Sequence, residues 1–192
     1  GAAIALFGAA GSRLPPAPVV LSAPMVGIAM PRGLKAATGP VIRAAAALGR
    51  RDRWPPVRGP AGAYPLAVPF EENLLTGDRE IFEWLRTAIV ADPRLALGLP
   101  TLGWLRAARR AMARIATLDR LGTPALCLLG SEERVVDPQA VRRTAARLRI
   151  PCREIAGARH DLLIERADLR AEVWAEIDAF LARAGGRLAR AG

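Results

Sequence analysis

Thr123-Pro-Ala-Leu-Cys-Leu-Leu-Gly-Ser-Glu-Glu-Arg-Val-Val-Asp137 sets an apolar run, Ala125 to Leu129, directly before an acidic loop. A short apolar run introduced by Thr-Pro and closed by glycine suits a strand buried on both faces of a parallel sheet. Asp137-Pro138 then opens a helix reaching about Leu148, with aspartate suited to the N-cap and proline to the first helical position. A further strand is predicted over Cys152 to Ile155, and it leads into the loop Gly157-Ala158-Arg159-His160. The last helix, from Asp168 to about Ala184, carries Leu169, Val173, Ile177, Phe180 and Ala184 on one stripe, the spacing of a helix docked on a sheet. Strand, helix, strand, helix in this order predicts an α/β fold with a parallel sheet flanked by helices.

The same alternation extends toward the amino end. Gly1 to Ala10 is small and apolar, suited to a helix packed closely on a sheet, and Gly11-Ser12 ends it. After Pro15-Pro16, the run Pro18-Val-Val-Leu-Ser22 is short, β-branched and bounded by prolines, as a buried parallel strand would be. Between Met25 and Leu118 the pattern changes. Prolines and glycines gather around Trp54-Pro55-Pro56, and helical periodicity returns at Glu80–Val90 and Thr101–Ala116. Residues 25–118 are therefore expected to form a helical cap, or lid, inserted into a core made of 1–24 and 119–192. No internal repeat and no linker separates independent domains.

Composition narrows the classes of function. At 192 residues and 52% apolar content, the chain is long enough for one packed core. Its longest apolar stretch, Pro18 to Met30, is interrupted by Pro24 and is too short to span a bilayer. No signal peptide is readable, and the chain does not start with methionine. Cys127 and Cys152 lack CxxC spacing and read as two buried thiols, which fits a reducing cytoplasm. The net charge is +10, and among the 28 basic residues only Lys35 is a lysine. The arginines are scattered at helix-surface spacing with no aromatic interleaving, so nucleic acid is not an expected partner. Arginine in place of lysine, beside abundant alanine, glycine and proline, fits the base composition of a GC-rich genome. The positive charge also suits peripheral contact with an anionic membrane surface, such as the inner face of a bacterial membrane.

His160 is the only histidine in the chain. A lone histidine is more often structural than catalytic, but this one stands beyond a predicted strand, where parallel α/β folds place their working residues. The loop at the end of the preceding strand brings Glu132 and Glu133. Acid before histidine is the tail of the hydrolase order Ser, Asp/Glu, His. Asp137 is a rival acid, although aspartate before proline at a helix start is what an N-cap looks like. Glu132 reads as a solvated neighbour.

Four ordered motifs carry a resemblance to a known family. Thr123–Asp137 resembles the strand and acid loop of bacterial lysophospholipases and monoacylglycerol lipases, and Gly157-Ala-Arg-His-Asp-Leu-Leu-Ile-Glu-Arg166 resembles their histidine loop. Asn73-Leu-Leu-Thr-Gly-Asp78 and Ala91-Asp-Pro-Arg-Leu-Ala-Leu-Gly98, with Gly103-Trp104 following, are similar to the cap of the lysophospholipase L2 type. Val19-Val-Leu-Ser-Ala-Pro24 matches the strand leading into that cap. The resemblance, to α/β-hydrolases of the serine aminopeptidase S33 type, covers nearly all of the chain.

What the resemblance implies is specific. The triad acid falls on Glu133, where the family more often has aspartate, with Asp137 as the alternative; the base falls on His160. Gly1-Ala2-Ala3-Ile4-Ala5-Leu6 resembles the end of the Gly-His-Ser-x-Gly-Gly elbow, which makes Gly1 the glycine two places after the nucleophilic serine. Serine and oxyanion-hole residues then precede the chain, since Ser12, Ser22 and Ser131 occupy no Gly-x-Ser-x-Gly elbow. The implied activity is serine ester hydrolysis of monoacyl lipids with no metal or cofactor, the chain alone being inactive. Trp84, Leu85, Leu97, Trp104 and Leu105 are suited to line an acyl pocket, or to form the cap's own core. Other readings are a different carboxylesterase or haloperoxidase-like member of the fold, a non-catalytic binding module built on it, and a basic nucleic-acid or membrane binder.

Overall fold

The computed structural model describes residues 1–11, 17–30, 32–49, 64–98 and 100–188; Ser12, the Pro15-Pro16 pair and the Trp54-Pro55-Pro56 stretch lie outside them. Contacts divide the chain into two compact units, one of Gly1–Ala29, Leu74–Gly77 and Met112–Gly192, the other of Met30–Asn73 and Asp78–Ala111.

The first unit is built on three parallel strands, β1 (Val19–Ser22), β2 (Ala125–Gly130) and β3 (Cys152–Ile155), in the order β1-β2-β3. Every residue of β2 is buried, as expected of the central strand in a sheet covered on both faces. Its side chains alternate between two cores. Ala125, Cys127 and Leu129 pack with Leu6 of helix α1 (Ala2–Ala10) and with Val141 and Ala145 of the helix Pro138–Arg147. Leu126 and Leu128 pack on the other side with Leu169, Val173, Ile177 and Phe180 of the long helix Ala167–Leu188. Helix, sheet and helix thus form three layers, and the period-two alternation of one strand assigns each side chain to its layer.

The sequence-derived elements of this unit are present, with two differences. The last helix runs through Gly185-Gly186 to Leu188 rather than ending at Ala184. Cys152 is only half-buried, because β3 is an edge strand, whereas its cross-strand neighbour Cys127 is fully enclosed; both are free thiols.

In the second unit lie helices α2 (Arg32–Ala47), α3 (Tyr64–Ala67), α4 (Arg79–Ala91) and most of α5 (Leu102–Ile115), followed in chain order by α6 (Pro138–Arg147) and α7 (Ala167–Leu188) of the first. Asp78 caps α4 by accepting the Ile81 N–H at 3.0 Å. Phe70 meets Phe82 edge to face, ring centroids 5.8 Å apart. Arg86 donates to the carbonyls of Pro65 and Val68, tying α3 to α4. Helix α2 was not legible as a helix, since it carries Gly39 and Pro40 in its interior. Burial of Ile42 and Ala45 on one face offsets their cost.

Two non-glycine residues of the first unit depart from ordinary backbone preference, Ala23 at φ 40° after β1 and Arg149 after α6. After α6 the Ile150 N–H bonds the Ala145 carbonyl at 2.8 Å and the Arg149 N–H that of Ala146 at 3.1 Å, a Schellman closure. Its left-handed position, usually glycine, is held by Arg149 at φ 56°.

Candidate active site

The carboxyl ends of β2 and β3 carry the two loops that the sequence singles out. Beyond β2 the chain turns through Ser131 and Glu132, and the Glu132 N–H bonds the Ala158 carbonyl at 2.9 Å. The Ser131 hydroxyl accepts the Gly157 N–H at 2.8 Å, where Gly157 takes φ 75°. Gly130 makes this approach possible: a β-carbon there would run into the carbonyl oxygens of Ala158 and Arg159. Behind the acid loop, Ala29 donates to the Val135 carbonyl and Asp137 to that of Gly27, pairing Ile28 against Val136.

Glu133 and His160 meet across these loops. His160 Nδ1 stands 2.7 Å from Glu133 Oε2, with the glutamate side chain fully buried and the imidazole 26% exposed. The other carboxylate oxygen, Oε1, accepts the backbone N–H of Val135 at 2.6 Å and of Val136 at 3.0 Å. Burial by itself would raise the Glu133 carboxyl. The His160 hydrogen bond, the Val136 amide, the nearby imidazole charge and the Val135 amide together outweigh it, holding the group below its ordinary value of 4.5. An ionised carboxylate is acceptor-only, so the proton of this contact sits on Nδ1.

Asp137 does different work. Its Oδ1 accepts the Ala140 N–H at 3.0 Å and caps α6. Glu132 is largely exposed and lies 3.8 Å from the Arg159 guanidinium.

A buried clamp behind the histidine was not read from the sequence. Glu165, wholly enclosed, accepts the N–H of Arg159 at 2.7 Å on one oxygen, and those of Gly77 at 2.8 Å and Arg166 at 3.2 Å on the other. His160 and Asp161 donate their backbone N–H groups to the carbonyls of Leu74 and Leu75, and Thr76 donates its hydroxyl to that of Ile164 at 2.6 Å. The loop that presents the imidazole is thereby fixed against Leu74–Gly77 from several directions. Both partners lay inside motifs visible in the sequence, Asn73–Asp78 and Gly157–Arg166; their mutual contact was not.

Trp84, Leu97 and Trp104 are exposed within their unit, at 66%, 80% and 46%, Leu85 is half-buried, and Leu105 belongs to the buried core. No group of histidine, cysteine and carboxylate side chains suited to a metal gathers among the described residues.

A family model described as serine aminopeptidase, S33, matches residues 1–167. The chain belongs to this family. Its similarities within the α/β-hydrolases run to enzymes of lipid esters. A probable lysophospholipase L2 of Haemophilus influenzae is 29% identical over 164 residues, covering 84% of this chain and 50% of that protein. A soluble variant of monoglyceride lipase from Saccharomyces cerevisiae, solved with a substrate analogue, superposes with a TM-score of 0.68 at 14% identity, over 96% of this chain and 62% of that one. A monoacylglycerol lipase of Paleococcus ferrophilus gives 0.65 at 17% identity, over 95% and 65%. These likenesses establish the α/β-hydrolase fold. This S33 chain spans about half the length of the curated relative it matches.

Proposed function

We propose that this chain is the carboxyl-terminal part of a serine ester hydrolase acting on monoacyl lipids, with Glu133 as the triad acid and His160 as the base. The 2.7 Å contact between Glu133 Oε2 and His160 Nδ1 carries the reading. The carboxylate fixes the ring tautomer and orientation. It also stabilises the imidazolium formed when Nε2 takes the proton of a serine hydroxyl, a proton later delivered to the leaving alcohol. The serine and the oxyanion-hole amides are proposed to precede Gly1, in a Gly-His-Ser-x-Gly elbow whose second glycine Gly1 would be. The helical segment 25–118 is proposed as the cap, its exposed Trp84 and Trp104 lining the acyl pocket with Leu85 and Leu97. Leu105, buried in its own unit, serves packing instead. The lysophospholipase L2 relative supports a monoacyl lipid as substrate, and with no membrane-crossing helix among the described residues, contact with the bilayer would be peripheral.

The test is hydrolysis of a lysophospholipid, a monoacylglycerol and a short p-nitrophenyl ester by the chain alone and by the chain joined to its preceding coding sequence. The longer protein should turn over these esters and the chain alone should not. In the longer protein His160→Ala should lower kcat by about 10⁶ and Glu133→Gln by about 10⁴, as in other triads. Asp137→Asn, which keeps a capping oxygen, should leave turnover near that of the parent. Robust turnover by His160→Ala, or an Asp137→Asn loss as large as that of Glu133→Gln, overturns the assignment.

A further inference from the structure

At the opposite end of the sheet from His160 lies a concavity. Glu133 and His160 follow the carboxyl ends of β2 and β3, while a cavity of about 460 Å³ opens at the amino ends of the same strands. Four arginines line it: Arg120 before β2, Arg149 in the turn after α6, Arg153 at the start of β3, and Arg183 near the end of α7. No carboxylate is among the lining residues. Arg153 shares its charge with Glu176, 3.4 Å away. Arg120, Arg149 and Arg183 form no ion pair with a carboxylate among the described residues, although the chain pairs six other arginines in that way. The floor is apolar, with Phe180, Leu148 and Ile150 all buried.

Arg149 adds an independent observation. It holds the left-handed position of the Schellman turn at φ 56°, a backbone conformation that favours glycine. A side chain placed against its backbone preference points to a role for that side chain rather than for the turn. Arg149 is one of the four arginines that line the cavity.

We infer that this cavity binds a small phosphomonoester carrying a short apolar group. Guanidinium forks match phosphate oxygens in pairs, and three uncompensated cations call for a dianion rather than a single carboxylate. The apolar floor would take the rest of the molecule. A bilayer is the poorer occupant, because a membrane held at this end would lie against the end of the sheet opposite His160. The exclusion of a bilayer rests on the proposed activity at His160; the arginines and the apolar floor stand apart from it.

The experiment is calorimetric titration of the protein with octyl phosphate below its micellar concentration, beside octanol, octanoate and inorganic phosphate. Octyl phosphate should bind about tenfold or more tightly than each of the other three, as expected where charge-assisted contacts and apolar burial act together. The double variant Arg149→Gly/Arg183→Ala should weaken octyl phosphate binding about tenfold or more. Its unliganded thermal transition should stay at or above that of the parent, since glycine relieves the left-handed turn. His160→Ala should bind as the parent does. Unchanged affinity in the double variant, affinity lost with His160→Ala, or inorganic phosphate, octanol or octanoate binding as tightly as octyl phosphate would each overturn the inference.

Discussion

Glu133 shows how a single carboxylate can serve both a site and a fold. Its two oxygens divide the work, one meeting the imidazole and the other two backbone amides of the acid loop. Because the folded carboxyl is held below its ordinary value of 4.5, the ionised form stabilises the native state. That contribution is fully present above the unfolded value and is lost as pH falls through the folded one. Glu133→Gln retains an amide oxygen for Val135 and Val136 and removes the charge. It should therefore lower stability at neutral pH by about 1.5–3 kcal/mol, the scale of a charged hydrogen bond, with the gap closing below the carboxylate range. Urea unfolding of parent and variant at both pH values measures this, and a gap that widens at the acid end would show that the charge does not support the fold. The pair itself was legible because a single histidine and a strand-end acid leave few choices. The Glu165 clamp was not, because a glutamate in the sequence carries no mark of burial, and its donors at Arg159 and Gly77 lie far apart in the chain.

The core elements were legible for a reason visible in β2. Alternate residues of that strand serve different layers, so both must be apolar, and the run Ala125–Leu129 stands out from any surface segment. Helix α2 has no such advantage, since Gly39 and Pro40 contradict its local preference and only its packing reveals it. Gly130 marks where element geometry and site geometry meet: it ends β2 and lets the histidine loop pass directly over it. Gly130→Ala forces a methyl group into the backbone carbonyls of Ala158 and Arg159, which cannot swing aside as a side chain would. The expected cost is about 1–3 kcal/mol of stability, the range for overpacking, together with a displaced imidazole. The thermal transition should fall, and on the proposed function ester turnover of the chain joined to its preceding sequence should fall with it; a variant as stable and active as the parent would show that the loop has room to give.

At the scale of the molecule, the sheet sets the terms. β2 has a neighbour on each side, whereas β1, at one edge of the three-stranded sheet, pairs only with β2 among the described residues. Its Val19, Val20 and Leu21 form a short apolar strand, and an unpaired strand edge of this kind is a template for association with another chain. Nearby in the chain, helix α1 is apolar over nearly its whole circumference yet buries only Leu6, leaving Ile4 77% exposed. An apolar helix with a single buried residue is one that a further layer of structure would cover. On the proposed reading, the strands that pair with β1 and the surface that covers α1 belong to the sequence preceding Gly1. The chain of 192 residues expressed alone should then self-associate, eluting from size exclusion well above 20.4 kDa and growing with concentration. Joined to its preceding sequence it should run at one size set by its length, with a higher thermal transition. A chain that stays monomeric alone at high concentration and melts no lower than the longer protein would mean that β1 and α1 need no such cover, and the proposed upstream half of the sheet would lose its structural argument.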